Sequence, residues 1–425
     1  MTQATAPGPT DYPRAHLRLT FSSYHPPVKT DPTQAINKAA RLRAHGDLAG
    51  ALRTLRQARK SHPSHVPLLH ALGLELDRQG QHQKAVQTLQ QARAGAPQAA
   101  DIINDLGNAL QASRKRPEAL AAYSDAARFA PHIAGVRANI GHIQQMMGDN
   151  AAAKLEFEAA LALDAQYLAA HYQLAVIALA SGLHETALDH LNACQSIDSY
   201  HPEALSLRAV VLAGLGRTEE ARQLVDYERF IVKTHIEPPP GFNSLRDFNR
   251  ALENYILDKP LIPDPYLVST RGGHHGDDII WDAKGPAAGL RTRLREAFGA
   301  YLRALPQAPG HPFLAANPTR VKLIAQANVL ASAGYLTDHV HPQAWVSGAY
   351  YVRLPREIGN AQSKAGWLRF GALPDNITAE PPFEIIHIEP QEGRLVLFPA
   401  YFYHGTVPWR GKKHRMSLGI DVIAQ

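Results

Sequence analysis

Cysteine is almost missing from this 425-residue chain, which has only Cys194. That excludes an internal disulfide and any cysteine-rich zinc module. No stretch reaches the roughly 18–20 uncharged apolar residues that a membrane-spanning helix needs, so no integral membrane protein is expected. The opening MTQATAPGPTDYPRAHLRL lacks the charged start and apolar run of a secretory signal. A dense cationic stretch is missing too. Lys plus Arg number 44 and Asp plus Glu 38, leaving +6 with histidine neutral, and no run of five or more Lys/Arg occurs. Nucleic-acid binding through a phosphate-neutralising patch is therefore not expected. With 45% apolar and 19% charged residues the composition is globular. The expectation is a cytoplasmic protein of two or three domains.

What the chain has instead is a period. Small residues recur at Ala39, Gly73, Gly107, Gly141, Ala175 and Ala209, each 34 after the last. Ala51, Ala85, Ala119, Ala153, Ala187 and Ala221 keep the same step, as does a bulky series, Leu55, Leu89, Tyr123, Phe157, Leu191 and Val225. Turn glycines fall at Gly46, Gly80, Gly148, Gly182 and Gly216, with Arg114 in that slot of the third copy. Small residues let two helices approach, the bulky position fills the gap towards the neighbouring unit, and glycine makes the turn. One hairpin cannot bury its apolar face alone, so the stack is the folding unit. The pattern resembles a tetratricopeptide repeat array of six units over residues 32–235, after an N-terminal extension of residues 1–31.

Cys194 takes the slot of Ala58, Ala92, Ala126 and Ala160, which reads as small-residue packing. Two residues before the small position stand Asn37, Asp105, Asn139 and Gln173, with Ala71 and Leu207 in the other copies. Polar side chains on a regular ladder can pair with a peptide backbone without reading its sequence, so these four are candidate peptide-binding residues. A plain solvated face is the alternative.

The period fades after Arg222, and His235-Ile-Glu-Pro-Pro-Pro-Gly241 breaks any helix. Leu245–Ile256 and Leu290–Leu305 read as amphipathic helices. From Val321 the text is strand-like: VKLIAQANVLA, WVSGAYYVRL, GWLRFG, EIIHIEP, GRLVLFPA and RMSLGIDVIA. Short strands without helices between them suggest a jelly-roll sandwich or barrel, so residues 236–425 form the second domain. The expected fold is an all-α solenoid followed by a mainly-β double-stranded β-helix (jelly-roll, cupin-like) domain with flanking helices.

Inside that region Thr337-Asp338-His339-Val340-His341-Pro342 opens the second strand, and on a strand positions i and i+2 face one way. His404 follows His339 by 65 residues, Arg415 follows by another 11, and Ser417 shares the arginine's face. Two close ligands, a distant third and a buried arginine for a far carboxylate suit a mononuclear iron site with an organic-acid cosubstrate.

The segments HVHPQAWVSGAYYVRL, GWLRFG, GRLVLFPAYFYHGTVPW and HRMSLGIDV resemble the iron(II)- and 2-oxoglutarate-dependent oxygenase superfamily. More narrowly they resemble a bacterial group that often follows tetratricopeptide repeats, whose entry segment Arg271-Gly-Gly-His-His is similar to. The resemblance implies Fe(II) with 2-oxoglutarate as cosubstrate, His339 and His404 as iron ligands, and Arg415 with Ser417 on the distal carboxylate. Tyr350 or Tyr351 would add a hydroxyl. The superfamily's usual His-x-Asp or His-x-Glu is His339-x-His341 here. Either three histidines bind iron, or His341 stands behind the other two, or Asp338 contributes; three histidines suit the i, i+2 geometry best. The implied activity is a dioxygenase using O2 to hydroxylate a protein or peptide recruited by the array. The alternatives are a peptide-binding scaffold with a non-catalytic barrel and a 2-oxoglutarate-independent three-histidine cupin oxygenase. His387 and His414 read as hydrogen-bonded surface residues, and His274 and His275 as solvated or substrate-side in a Gly/Asp-rich loop. Trp345 and Trp367 are read either as lining the substrate mouth or as barrel packing.

Overall fold

The structure, a computed structural model, describes residues 31–425 apart from 46, 264–268, 283 and 309. The N-terminal extension up to residue 30 and the turn glycine Gly46 lie outside the described residues. Twelve helices form six hairpins: α1 (Pro32–Ala44) with α2 (Leu48–Ser61), α3 (Val66–Arg78) with α4 (His82–Gly95), α5 (Ala100–Ala112) with α6 (Arg116–Phe129), α7 (Ala134–Met146) with α8 (Asn150–Leu163), α9 (Leu168–Ala180) with α10 (His184–Ile197), and α11 (Pro202–Gly214) with α12 (Thr218–Leu224). Aspartates start several of them: Asp47 accepts from the Gly50 amide at 2.7 Å and Asp149 from the Ala152 amide at 3.0 Å. The turns need positive φ, which Gly80, Gly148, Gly182 and Gly216 supply at 69°, 89°, 74° and 74°. Arg114 adopts the same conformation at 61°, against a steric cost of about 1–2 kcal/mol for a residue with a Cβ.

The bulky series has a more specific role than filling the gap between units: Leu89, Tyr123 and Phe157 each cover the glycine of their own hairpin. A Cβ on Gly73 would lie 2.6 Å from Leu89 Cγ, one on Gly107 2.5 Å from Tyr123 Cε1, and one on Gly141 2.9 Å from Phe157 Cε1. Gly107→Val is therefore expected to destabilise the array by about 1–3 kcal/mol through overpacking. It would dislodge a ring whose hydroxyl lies 2.8 Å from Asn108 Oδ1 and 3.0 Å from Gln111 Oε1, with one proton to donate between them. A lower midpoint in thermal unfolding would register this, and an unchanged midpoint would contradict the packing. Cys194 is fully buried, as are Ala58, Ala92, Ala126 and Ala160, and burial pushes its thiol up to about 12. It should resist an aromatic disulfide reagent at neutral pH until the protein is denatured, then react as one thiol.

The second half runs α13 (Tyr227–Phe230), β1 (Val232–His235), α14 (Leu245–Leu257), β2 (Ile262–Pro263), β3 (Thr270–Asp278), α15 (Gly285–Ala304), α16 (Pro312–Ala315), β4 (Val321–Leu336), β5 (Val346–Arg353), β6 (Leu368–Phe370), β7 (Ile386–Ile388), β8 (Arg394–Pro399), β9 (His404–Thr406) and β10 (Arg415–Ala424). Its strands make a seven-stranded sheet in the order β1-β8-β5-β10-β4-β3-β2 and a three-stranded sheet in the order β7-β6-β9. The assigned strand pairs are antiparallel. Phe248, Leu252 and Ile256 of α14 and Leu290, Leu294 and Tyr301 of α15 pack with the buried strand residues in one core. The chain as a whole is a helical solenoid followed by mainly antiparallel sheet with flanking helices. Among the described residues no helix is long and apolar enough to cross a membrane.

The array and the sheets are fused at the last two repeats. Leu205 of α11 belongs to the β-domain core, while Ile377 and Tyr403 pack with the apolar residues of α9 to α12. The Tyr200 hydroxyl donates to the Trp345 carbonyl at 2.7 Å, the Ser206 hydroxyl to the Tyr401 carbonyl, and the Tyr401 hydroxyl to the Leu224 carbonyl. Beyond the array β1 pairs directly with β8, Val232 opposite Leu397. Shared apolar packing of this kind resists relative motion of the two halves.

Candidate metal centre

His339 and His341 do not open β5. They lie in the connection between β4 and β5, where His339 alone bridges to His404, each backbone amide donating to the other's carbonyl at 3.0 Å. The His341 amide donates to the Ala400 carbonyl at 3.0 Å. The two segments come this close because Gly405 follows His404; a Cβ there would meet Asp338 Oδ1 at 2.6 Å and the Leu336 carbonyl at 2.9 Å. The extended i, i+2 geometry survives the irregular backbone, and the three imidazoles converge.

His341 Nε2 lies 3.1 Å from His339 Nε2 and 3.2 Å from His404 Nε2. The other ring nitrogen of each histidine faces an acceptor. His339 Nδ1 lies 2.7 Å from the Thr337 carbonyl, His404 Nδ1 2.8 Å from the Phe402 carbonyl, and His341 Nδ1 2.6 Å from Asp421 Oδ1. Carbonyl and carboxylate oxygens only accept, so Nδ1 carries a proton in every ring and Nε2 is the atom that each ring turns inward, free to offer its lone pair to a metal. Three lone pairs facing one another repel unless a cation lies among them. Protonation is opposed: burial and then the neighbouring His341 hold His339 down at about 3, and burial with both neighbouring imidazoles holds His404 well below its ordinary value. The three histidines could hold a metal ion, and imidazole suits iron among others.

Asp338 is not part of this cluster. Its carboxylate takes a two-pronged pair from Arg369, with Nε 2.9 Å from Oδ1. Asp421 does belong to it, and the sequence reading passed it over. It stands on β10 in alternation with Arg415 and Ser417, so the rule that joined Ser417 to Arg415 would also have found it. Burial pushes the Asp421 carboxyl up, but the His341 imidazole and the Ser347 hydroxyl, which donates at 2.7 Å, hold it below the ordinary value.

At the start of β10 Arg415 is buried to 1% exposure, with Nη1 donating to the Ser417 hydroxyl at 2.8 Å. Its Nε has no hydrogen-bond partner and, among the described residues, no carboxylate forms an ion pair with it. A desolvated guanidinium with spare donors is matched to a carboxylate from outside the protein. The Tyr351 ring lies 5.4 Å from that guanidinium and its buried hydroxyl is also unpartnered. Tyr350 points the other way along β5 and donates to Asn249 Oδ1 of α14 at 2.6 Å. His274 and His275 sit on β3, not in a loop. His274 is exposed, while His275 is buried, with Nδ1 3.3 Å from Asn328 Oδ1.

These groups line a cavity of about 1020 Å³ whose wall includes His339, His341, His404, His275, Asn328, Arg415, Ser417 and Asp421. The repeat array lines the same cavity, through Asp77 and Arg78 at the end of α3, His82 at the start of α4, Asn108 and Gln111 on α5 and Arg114 in the turn after it. The solenoid therefore joins the β-domain at its last two repeats and shares the lining of this space with the histidines through its second and third. None of Asn37, Asp105, Asn139 and Gln173 lines the cavity. Asn37 is exposed, His70 Nε2 lies 2.7 Å from Asp105 Oδ2, and Asn139 donates to Asn104 at 2.8 Å. Trp345 is core: it donates to the Phe313 carbonyl at 2.9 Å and packs on Phe298 and Phe313. Trp367 donates to the Ile358 carbonyl at 3.1 Å, and His414 Nε2 lies 2.9 Å from Glu253.

Comparison with known proteins agrees with this two-part organisation. Residues 326–421 match the family model described as "Putative 2OG-Fe(II) oxygenase". Residues 36–100, 139–202 and 202–226 match tetratricopeptide repeat models. Similar solved structures include PilF of Pseudomonas aeruginosa, 19% identical over 47% of this chain and 90% of its own, with a TM-score of 0.43. MamA of Desulfovibrio magneticus is 19% identical over 40% and 95% (TM-score 0.37). YrrB, a tetratricopeptide repeat protein described as having an unusual peptide-binding site, is 22% identical over 41% and 90% (TM-score 0.35). No curated protein compared matches the chain.

Proposed function

We propose that this chain is an iron(II)- and 2-oxoglutarate-dependent dioxygenase that hydroxylates a protein or peptide. The observation carrying the reading is the pairing of two unsatisfied sites in one cavity: three inward imidazole lone pairs and a buried arginine without a carboxylate. His339, His341 and His404 would hold the iron. Arg415, with Ser417 at its side and the Tyr351 hydroxyl nearby, would take the distal carboxylate of 2-oxoglutarate. Iron(II) and 2-oxoglutarate supply, with O2, an oxidative decarboxylation that yields succinate and CO2 and leaves one oxygen atom in a substrate C–H bond.

The chain's own part is placement. The carbonyls of Thr337 and Phe402 and the carboxylate of Asp421 keep each Nδ1–H occupied, so that every Nε2 points inward as the atom that would meet a metal. Burial of Arg415 strengthens its grip on an anion by excluding water. A small organic acid does not need the whole cavity, since pockets for drug-sized ligands span about 300–1,000 Å³. The wall contributed by the second and third repeats favours a polypeptide segment lying between array and barrel, with Asn108, Gln111 and Arg114 beside it.

The test is turnover on a peptide library with Fe(II), 2-oxoglutarate and O2. Expected is a peptide gaining one oxygen atom with one succinate per event, lost on Arg415→Ala. Metal and cosubstrate binding without oxygen transfer to any peptide or protein in a broad screen would count against a polypeptide substrate.

A further inference from the structure

Three neutral imidazoles leave the charge of a divalent ion uncompensated inside a largely buried pocket, so the nearest available anion matters. Two carboxylates approach the triad. Asp338 is already neutralised by its two-pronged pair with Arg369. Asp421 has no cationic partner among the described residues other than what His341 would become on sharing its proton, and its side chain is 15% exposed. Its Oδ1 alone receives both contacts, from His341 Nδ1 at 2.6 Å and from the Ser347 hydroxyl at 2.7 Å. Ser347 stands opposite Asp421 in the β5–β10 register and is itself fully buried. The carboxylate is thus fixed by the sheet and aimed at the back of one imidazole.

We propose that Asp421 is a positioning residue of the metal centre, supplying its negative charge from one hydrogen bond behind His341 and fixing that ring with Nε2 inward. His339 and His404 rest on neutral carbonyls, so His341 is the most strongly donating of the three. Strand β10 then carries two devices on one face: Arg415 and Ser417 for the cosubstrate, and Asp421 for the metal. This rests on the reading of the triad as a metal site, and the test separates the two.

Asp421→Asn keeps an oxygen for both contacts and removes only the charge; Asp421→Ala removes the hold on the ring. Cobalt(II) is the probe, titrated into each full-length protein against a chromophoric chelator, with the visible d–d spectrum recorded at saturation. Expected is a tight 1:1 complex in the wild type and an affinity about 10–100-fold weaker in Asp421→Asn, as for other outer partners of ligating histidines. Asp421→Ala should add a changed d–d spectrum, while Ser347→Ala, which keeps the charge, should weaken cobalt far less than Asp421→Asn. Equal affinity and identical spectra for wild type and Asp421→Asn, both folded by circular dichroism, would overturn the role of Asp421 and leave the metal site standing. No cobalt binding by the wild type would overturn the site itself and this inference with it.

Discussion

Replacing His404 by alanine is expected to lower divalent-metal affinity by more than about 100-fold, beyond the 10–100-fold typical of losing an outer hydrogen-bond partner. His404 brings a buried Nε2 lone pair to the cluster and cannot be substituted by its neighbours. Phe402 contributes only its carbonyl, to His404 Nδ1, and Phe370 and Phe398 flank the ring at 6.0 and 4.7 Å. Metal at 100 times its dissociation constant stabilises the wild type by about 2.7 kcal/mol through mass action. In His404→Ala that metal-dependent rise in the thermal midpoint should vanish. A variant that gains as much stability from metal as the wild type would remove His404 from the site.

The second large effect is at Arg415. Arg415→Ala is expected to weaken 2-oxoglutarate binding by about 2–5 kcal/mol, the range for truncating one partner of a buried charged pair. Arg415→Lys should recover only part of it, because an ammonium keeps the charge and loses the planar fork. Stability should move the opposite way. With no carboxylate paired to it, the buried guanidinium is a burden on the empty protein, so Arg415→Met is expected to fold at least as stably as the wild type. Calorimetric titration and thermal unfolding of the same variants measure both. A strongly destabilised Arg415→Met with unchanged 2-oxoglutarate affinity would assign the arginine to the core.

Much of this was legible in the residue order because the informative patterns are local. A 34-residue step in small and bulky residues reports helices that touch their sequence neighbours, and the pairs Gly73–Leu89, Gly107–Tyr123 and Gly141–Phe157 are the contacts behind it. The i, i+2 spacing of His339 and His341 survived even though their backbone is a connection rather than a strand. Strand register separates Tyr350 from Tyr351, which spacing could not: Tyr351 stands opposite Ser417 on β10, while Tyr350 turns to α14. Asp421 was within reach of the same alternation and was missed because no motif pointed to it.

The second wall of the cavity was not legible. Asn108, Gln111 and Arg114 line the same cavity as the histidines, and which repeats come to lie beside the sheets depends on small rotations summed over many repeats. Of the ladder Asn37, Asp105, Asn139 and Gln173, only Asp105 shares a helix, α5, with the residues that line this cavity. Arg114 was the visible irregularity, an arginine in a glycine slot, and it lies on that wall.

The proposed chemistry requires iron and 2-oxoglutarate to occupy this one cavity together. The direct measurement is anaerobic: iron(II) and then 2-oxoglutarate are added to the purified protein while the visible metal-to-ligand charge-transfer band is followed. The expected result is a band that appears only with both present, weakens in Arg415→Ala and disappears in His404→Ala. A folded, metal-loaded wild type that gives no band at saturating 2-oxoglutarate would contradict the proposal.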